Sequence, residues 1–386
     1  MSGTSVDAVD VALLRTDGET IDAFGPAVER KYQTDERETI QQATQAARDW
    51  NWSGSRPEAA FARAREVVVS THFDAWKMLD KLVDSAPTPP RSTYEEGMTK
   101  PRSGAEPGPK RGDVKLLGVH GQTVLHRRPR PGQIGETLQL MDGTALAHKT
   151  GLPVAHDFRT ADVAAGGEGA PLAPIYHNAL LDRLGGGPAV VLNLGGVANI
   201  TAKLKSGDLV AFDTGPANGP VDEWVERHGY GAYDEGGELA ARGQIDEARL
   251  ATWLKHDWFR VAPPKSLDRY DFSANLADGL SLEDGAATLT AFSAHAVAAG
   301  LAQLPDQPAR VIACGGGRHN PVLMQRLAET LPCQLLSAEE AGWRGDSIEA
   351  EAFAFLAVRT LRGLPISWPG TTGVPRAMTG GVVTRP

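Results

Sequence analysis

The sequence predicts an α/β fold built from two similar lobes, and three observations carry that prediction. First, two stretches follow one plan. Residues 1–26 read MSGTSVDAVDVALLRTDGETIDAFGP, and residues 193–216 read NLGGVANITAKLKSGDLVAFDTGP. Each has a small-residue turn (Ser2-Gly3-Thr4-Ser5; Gly195-Gly196) and an alternating run (Val9, Val11, Leu13; Ile200, Ala202, Leu204). Each then reverses at Asp17-Gly18 or Gly207-Asp208 and ends in a Phe-containing segment closed by Gly-Pro. Alternation between turn signals reads as a strand hairpin, and an internal repeat constrains a fold more than a lone motif does. Second, strand signals alternate with helical ones along the chain, the pattern of α/β proteins. Third, 386 residues exceed one small core and suit two domains. A duplicated hairpin predicts two lobes whose glycine tips face one ligand, and backbone N–H groups at such bends suit phosphate. The boundary is expected at Gly185-Gly186-Gly187, giving lobes over 1–186 and 187–386.

The elements follow in order. Met1 stands directly on the first turn, so the strand expected before the hairpin is either unusually short or encoded upstream. Residues 57–83 read as one helix with Pro57 in its first turn. The stretch 85–113 carries six prolines and several glycines, which predicts an exposed, flexible insertion. LLGVHGQTV (116–124) reads as a strand running into a polar turn. Residues 143–150 read as a helix stopped by Gly151, 151–158 as a short strand, and 171–184 as a helix. AVVLNLGG (189–196) is an apolar run bounded by glycine, as a buried strand requires. Residues 237–259 read as helical. Residues 284–303 carry Leu289, Phe292, Ala296 and Leu301 along one stripe, which predicts a core helix. ARVIACGGG (309–317) reads as a strand entering a glycine bend. Asn320-Pro321 then supplies an N-cap and a first-turn proline for a helix buried through Leu323, Met324, Leu327 and Leu331. The last helix is expected over 348–361.

Bulk composition excludes several classes. Net charge is −9, so no nucleic-acid or anionic-membrane partner is predicted. Two cysteines, Cys314 and Cys333, rule out a disulfide scaffold and fit a reducing cytosol. No run reaches the length of a membrane span, and no signal segment opens the chain. There is no G-x-x-x-x-G-K-[ST], no G-x-G-x-x-G opening the first helix, no G-x-S-x-G and no H-E-x-x-H. P-loop, Rossmann, serine-hydrolase and zinc-protease readings therefore lack their signatures.

The chemistry concentrates at strand ends. Gly3-Thr4-Ser5, Gly195-Gly196 and Gly315-Gly316-Gly317 let a ligand approach the backbone, and the helix after Gly317 is expected to present unpaired N–H groups to phosphate. Asp213, in AFDTGPAN, is expected to end a strand. It reads either as a proton acceptor or magnesium ligand or as an Asx-turn residue. Asp7 and Asp10 follow the first turn and read as phosphate-side or as solvent-facing strand residues. His120-Gly121-Gln122-Thr123 groups hydrogen-bonding side chains as a sugar site needs, although a lone histidine there also suits a structural role. Asp157 and Arg159 precede a long glycine loop (166–169) that reads as a binding loop or a hinge. Glu349 opens the last helix, either as the far end of an Asp346-x-x-Glu349 capping box or aimed at a sugar hydroxyl.

Together these segments resemble the anhydro-N-acetylmuramic acid kinases. The resemblance spans nearly the whole chain: MSGTSVD at 1–7, HGQT at 120–123, DFR…D…GGEGAPL at 157–172, LNLGG at 192–196, FDTGPAN at 212–218, DEW at 222–224, PPKS at 263–266, CGGG at 314–317 and EAEAFAFLA at 349–357. It implies two duplicated actin-like (ribonuclease H-like) lobes around a nucleotide and sugar cleft, with the last helix packing toward the N-terminal lobe. It implies a cytoplasmic enzyme of bacterial cell-wall recycling that uses ATP, Mg²⁺ and water to convert 1,6-anhydro-N-acetylmuramic acid into N-acetylmuramic acid 6-phosphate. Asp213 matches the catalytic base. Gly3, Thr4, Ser5, Val6, Asp7, Ala8, Val9 and Asp10 match the ATP-phosphate segment. Gly195 and Gly196 read with the phosphate bends, and Gly315 to Gly317 match the adenosine-side loop. Glu349 matches a sugar-contacting carboxylate, and His120, Gln122, Thr123, Asp157 and Arg159 lie in matching motifs. The resemblance also points to a homodimer; the residues holding the metal stay unassigned. Three departures stand out: the strand before Met1, Ala8 in place of a common glycine, and the long insertion. The alternatives are a sugar or acyl kinase acting on a free hydroxyl, and a non-catalytic actin-like nucleotide-binding module.

Overall fold

Both hairpins foreseen from the repeat are formed. A computed structural model of the chain describes residues 1–3, 6–85, 111–130, 132–185, 187–267 and 271–386. Over these residues the fold is α/β and divides into two units. Unit 1 comprises Met1–Ala179, Glu349–Trp368 and Val374–Pro386; unit 2 comprises Leu180–Ile348 and Pro369–Gly373. Thr4, Ser5, Gly186 and most of the expected insertion (86–110) lie outside the described residues.

Unit 1 opens with β1 (Ala8–Thr16) and β2 (Ile21–Lys31), paired antiparallel. The reversal is built by Asp17, whose carboxylate accepts from the Glu19 and Thr20 N–H groups at 2.9 and 2.7 Å, and by Gly18 at φ +84°. β2 does not close at Gly25-Pro26 as expected. It runs on to Lys31, and the pair crosses Gly25-Pro26 at a register shift between Ala12 and Leu14, where a residue without an N–H interrupts the ladder least. Next come α1 (Thr34–Trp50) and α2 (Glu58–Ser85). The strand expected over 116–124 is two strands. β3 (Leu117–Gly118) stops where a Cβ on Gly118 would meet the Phe353 carbonyl oxygen at 2.2 Å. The chain then turns through Gly121, at φ +76°, into β4 (Gln122–Arg127). β4 pairs with β5 (Glu136–Leu140). Then follow α3 (Gly143–Thr150), stopped by left-handed Gly151, β6 (Val154–His156), α4 (Thr160–Ala164) and α5 (Pro174–Leu184).

Unit 2 carries β7 (Ala189–Leu194), β8 (Val197–Lys203) and β9 (Leu209–Pro216) as an antiparallel meander. After α6 (Asn218–Arg227), the helix expected over 237–259 is broken into α7 (Glu238–Arg242), α8 (Glu247–Trp253) and a 3-10 turn. Gly243 causes the break, since a Cβ there would lie 2.0 Å from the Glu283 carbonyl oxygen; Asp246 then caps α8 by accepting from the Arg249 N–H. α9 (Leu282–Leu301) is buried on nearly all sides, not on a single stripe. β10 (Arg310–Cys314), α10 (Pro321–Thr330) and β11 (Gln334–Ser337) complete a sheet of order β11-β10-β7-β8-β9, with β7, β10 and β11 parallel. Val190, Leu192, Ile200 and Phe212 of this sheet pack with Val297 and Leu301 of α9 and Leu323 and Leu327 of α10.

The chain ends with α11 (Ile348–Arg362), α12 (Pro369–Thr372) and β12 (Val382–Thr384). β12 joins β6 antiparallel and β3 joins it parallel, so unit 1 holds a three-stranded sheet beside the two-stranded β1–β2. Ahead of β1, Ser2 forms a single bridge with Val9. Among the described residues no helix is long and apolar enough to cross a membrane.

Candidate functional site

In unit 1 the candidate residues gather around the first turn. The Gln122 side chain clamps it from β4: Nε2–H donates to the Gly3 carbonyl at 3.1 Å, and Oε1 accepts from the Ser2 hydroxyl at 2.6 Å. Val6 follows with φ +53°, an uncommon conformation for a β-branched residue, and is held by burial against Ile40 and Val68. Among the described residues of this turn, Val6 is left-handed. Ala8 lies in β1 opposite Lys31, so its replacement of glycine needs no special backbone. Asp7 is exposed and accepts from the Ala8 N–H at 2.9 Å. The Val9 side chain is fully buried.

Half-buried Arg159 pairs with buried His120. Arg159 Nε–H donates to His120 Nε2 at 2.8 Å, and its Nη1–H to the Gly169 carbonyl at 2.5 Å. An arginine only donates, so His120 Nε2 must accept and its Nδ1–H must serve the Gly121 carbonyl at 2.8 Å. Burial, then the Arg159 charge, hold the His120 pKa well below its usual value. His120 is therefore a neutral orienting group and not a proton donor. Burial lowers the Arg159 pKa to about 10, while the charges of Glu349 and Asp162 pull it back up; it stays cationic at neutral pH. Asp162, the middle aspartate of DFR…D…GGEGAPL, has no role assigned from the sequence, yet its carboxylate accepts from the Gly169 N–H at 2.7 Å and shapes the glycine loop. Its signal was its place between DFR and GGEG. Glu349 belongs to the same neighbourhood, because its charge acts on Arg159, Asp10 and the Met1 amine. Burial, chiefly, pushes the Asp10 carboxyl up to about 6, and burial brings the Met1 amine down to about 6. Thr123 and Asp157 stand at the margin. Thr123 Oγ1 accepts from Gln139 at 3.2 Å, and Asp157, at φ +55°, accepts from the Thr160 hydroxyl. The capping box at Asp346 is not formed: that carboxylate accepts from Arg318 at 2.7 Å. A half-buried cationic guanidinium beside a buried neutral imidazole, with the exposed Glu349 carboxylate in the same neighbourhood, suits a ligand rich in hydroxyls and carrying negative charge.

In unit 2 the glycine bends lock to a helix start. The Gly195 carbonyl accepts from the Asn218 N–H at 3.0 Å, and the Gly196 carbonyl from the Ala217 and Gly219 N–H groups at 3.1 and 3.0 Å. Gly315, at φ +78°, and Gly317 have no room for a Cβ, which would meet Asn193 Oδ1 at 2.4 Å and Leu194 Cβ at 2.8 Å. Gly316 faces open space. It borders a cavity of about 440 Å³ lined also by Asn218, Tyr233, Asp234, His319 and Asn320, a size within the roughly 300–1,000 Å³ of small-molecule sites. One expectation fails here. The α10 start does not offer two of its N–H groups to phosphate, because the Asn320 side chain accepts from Val322 and Leu323 at 3.0 and 3.1 Å. The cavity thus suits the uncharged part of a nucleotide, with Asp234 and Asn218 as polar lining.

Asp213 lies inside β9 opposite Asn199, not at the strand end as expected. Its N–H donates to the Lys265 carbonyl at 3.0 Å, and its Oδ2 accepts from the Leu267 N–H at 2.7 Å. Its carboxylate thus bonds to a segment 54 positions away. The half-buried, hydrogen-bonded carboxylate suits proton acceptance. Among the described residues no group of three or more His, Cys, Asp or Glu could hold a metal ion.

Residues 108–386 match the family model described as anhydro-N-acetylmuramic acid kinase. The anhydro-N-acetylmuramic acid kinase of Caulobacter vibrioides is 52% identical over 382 residues, covering 99% of this chain and 96% of its own length. That of Phenylobacterium zucineum is 50% identical over 387 residues, covering 100% and 98%. Among solved structures, a ROK family glucokinase from Streptomyces griseus in complex with glucose and AMPPNP covers 91% of this chain and 98% of its own, at 12% identity and a TM-score of 0.33.

Proposed function

This chain belongs to the anhydro-N-acetylmuramic acid kinase family, and from that premise we propose the roles of its residues. The enzyme is a phosphotransferase. It opens 1,6-anhydro-N-acetylmuramic acid with water and phosphorylates it to N-acetylmuramic acid 6-phosphate, with ATP as donor. Asp213 takes a proton from the water that attacks the anomeric carbon. The anhydro bond breaks toward O6, and O6 attacks the γ-phosphorus, releasing ADP. The hydrogen bond from Leu267 to Asp213 Oδ2 is the observation that carries this assignment, because it holds a half-buried carboxylate in one orientation.

Arg159 and Glu349 contact the sugar, His120 and Gln122 stand behind them and hold Arg159 and the first turn in place, and Thr123 and Asp157 lie at its edge. Gly3 to Asp10, Gly195 and Gly196 serve the phosphates, and Gly315 to Gly317 border the adenosine. Mg²⁺ arrives on the phosphate oxygens as part of the MgATP substrate, which calls for no resident ligand cluster. The proposed compartment is the cytoplasm, where ATP is supplied.

Asp213→Asn tests the base. The expected result is a loss of about 10²–10⁴-fold in kcat with ATP affinity kept, since the proton moves only in the transition state. Unchanged turnover would sink the assignment. Oxygen from labelled water should enter at the anomeric carbon; its absence would favour a kinase acting on a free hydroxyl.

A further inference from the structure

Lys265 is buried to 7% exposure, although lysine ordinarily keeps its ammonium in water. Its Nζ donates to the Trp258 carbonyl at 3.2 Å and lies 4.1 Å from the centre of the Trp258 ring. Among the described residues it forms no ion pair with a carboxylate. Trp258 itself is fixed in an aromatic stack, edge-on to Phe259 at 5.3 Å and to Phe272 at 6.2 Å, with Phe259 packed in turn on fully buried Phe292. The segment that Lys265 anchors touches Asp213 twice, through the Lys265 carbonyl and the Leu267 N–H.

We propose that Lys265 is a positioning residue: its ammonium pins the 265–267 strap to Trp258, and the strap fixes the Asp213 carboxylate for proton transfer. This rests on Asp213 being the base. A charge-assisted N–H···O bond sets the rotation of a carboxylate. A strap free to drift by an ångström misplaces the accepting oxygen, and displacements of that size cost up to about 100-fold in rate.

The test uses the full chain with Lys265→Met, Lys265→Arg, Asp213→Asn and the Lys265→Met/Asp213→Asn pair, assayed with ATP and the anhydro sugar across pH, with thermal melts alongside. Lys265→Met is expected to lower kcat about 10–100-fold with KM for ATP within about twofold. The acidic limb of the kcat profile should move to higher pH, because a carboxylate losing an N–H donor binds its proton more tightly. Lys265→Arg should recover most of the rate, and Lys265→Met should add nothing once Asp213 is gone. A Lys265→Met enzyme with normal kcat and pH profile, beside an inactive Asp213→Asn, overturns the strap and leaves the base standing. So does a loss that persists undiminished in the double variant. An active Asp213→Asn overturns both. Should Lys265→Met fail to fold, Leu267→Pro deletes the N–H while Leu267→Ala keeps it; equal kcat for those two refutes the inference.

Discussion

The hairpins β1–β2 and β8–β9 share a sequence plan but not a setting. Ser2 bridges Val9 in unit 1 as Leu194 pairs with Ala198 in unit 2, which aligns Asp10 with Asn199 and Val11 with Ile200. In unit 2, β7 continues that pairing through Val190 and also joins β10, so five strands form one sheet over a shared core. In unit 1 the Met1 carbonyl accepts from the Asp10 N–H at 2.9 Å. A cavity of about 230 Å³ borders β1, lined by Val11 to Thr16, by Leu116 to Val119 around β3, and by Ala354 and Val358 of α11. The described core of unit 1 falls into separate clusters, with Val6, Ile40 and Val68 in one, Val69, Val119 and Leu146 in another, and Ala155, Phe158 and Phe353 in a third. One sequence plan thus forms a hairpin in both units, inside a continuous core in unit 2 and beside several smaller clusters in unit 1.

The largest expected effect sets the two Gly-Pro pairs against each other. Gly215 has φ +152°, and a Cβ there would lie 2.6 Å from Ala296 Cβ on the buried helix α9. Gly25 is crowded as well, with Leu13 Cβ at 2.8 Å, but its φ lies outside the left-handed region. Gly215→Ala combines overpacking, about 1–3 kcal/mol, with backbone strain of about 1–3 kcal/mol. Gly25→Ala should cost the overpacking alone, about 1–3 kcal/mol. Urea unfolding of both variants decides it. Equal losses would show that the Gly215 backbone stores no strain and would break the comparison.

The same contrast explains what the sequence could reveal. Hairpins, glycine stops and the Asn320 cap are written in consecutive residues, and Gly151, Asp17-Gly18 and Asn320-Pro321 stand where their chemistry requires. The β3–β4 break and the α7–α8 break were not legible, because each is imposed by a remote carbonyl, of Phe353 and of Glu283. α1 escaped notice since only Ile40, Ala43 and Ala47 are buried, too sparse a stripe to show. For the site, Asp213, His120 and Arg159 were marked by their motifs. The grip of Leu267 on Asp213 spans 54 positions, and no local pattern signals it. PPKS was visible as a motif and silent about its partner.

A second, smaller effect separates Asp10 from its counterpart Asn199. The folded chain holds the Asp10 proton up to about pH 6, whereas the free carboxyl releases it near 3.8. Between those values the folded state binds more protons, so stability falls as pH rises through that window, and the deficit persists above it. Asp10→Asn makes β1 like β8 and removes that slope. Its stability advantage over the parent chain should grow from pH 4 to 6 and then level off. Thermal melts at pH 4, 6 and 7.5 check this, and a constant difference across the series would count against burial as the cause.

The smallest effect is also the one with opposite signs in the two units. Ala354 projects from α11 into the unit 1 cavity, while Ala294 on α9 is fully buried within the unit 2 core. Leucine suits a helix interior at either place, so the outcome turns on space alone. At Ala354 the added carbons move from water into a cavity that can hold them, a gain of about 1–2 kcal/mol at ~0.8 kcal/mol per buried methylene. At Ala294 the same carbons must displace packed neighbours, at a cost of about 1–3 kcal/mol. Two melts on otherwise identical chains read both signs. A loss at Ala354 as large as that at Ala294 would mean that the cavity beside β1 is closed in solution, and would break the contrast between the two cores.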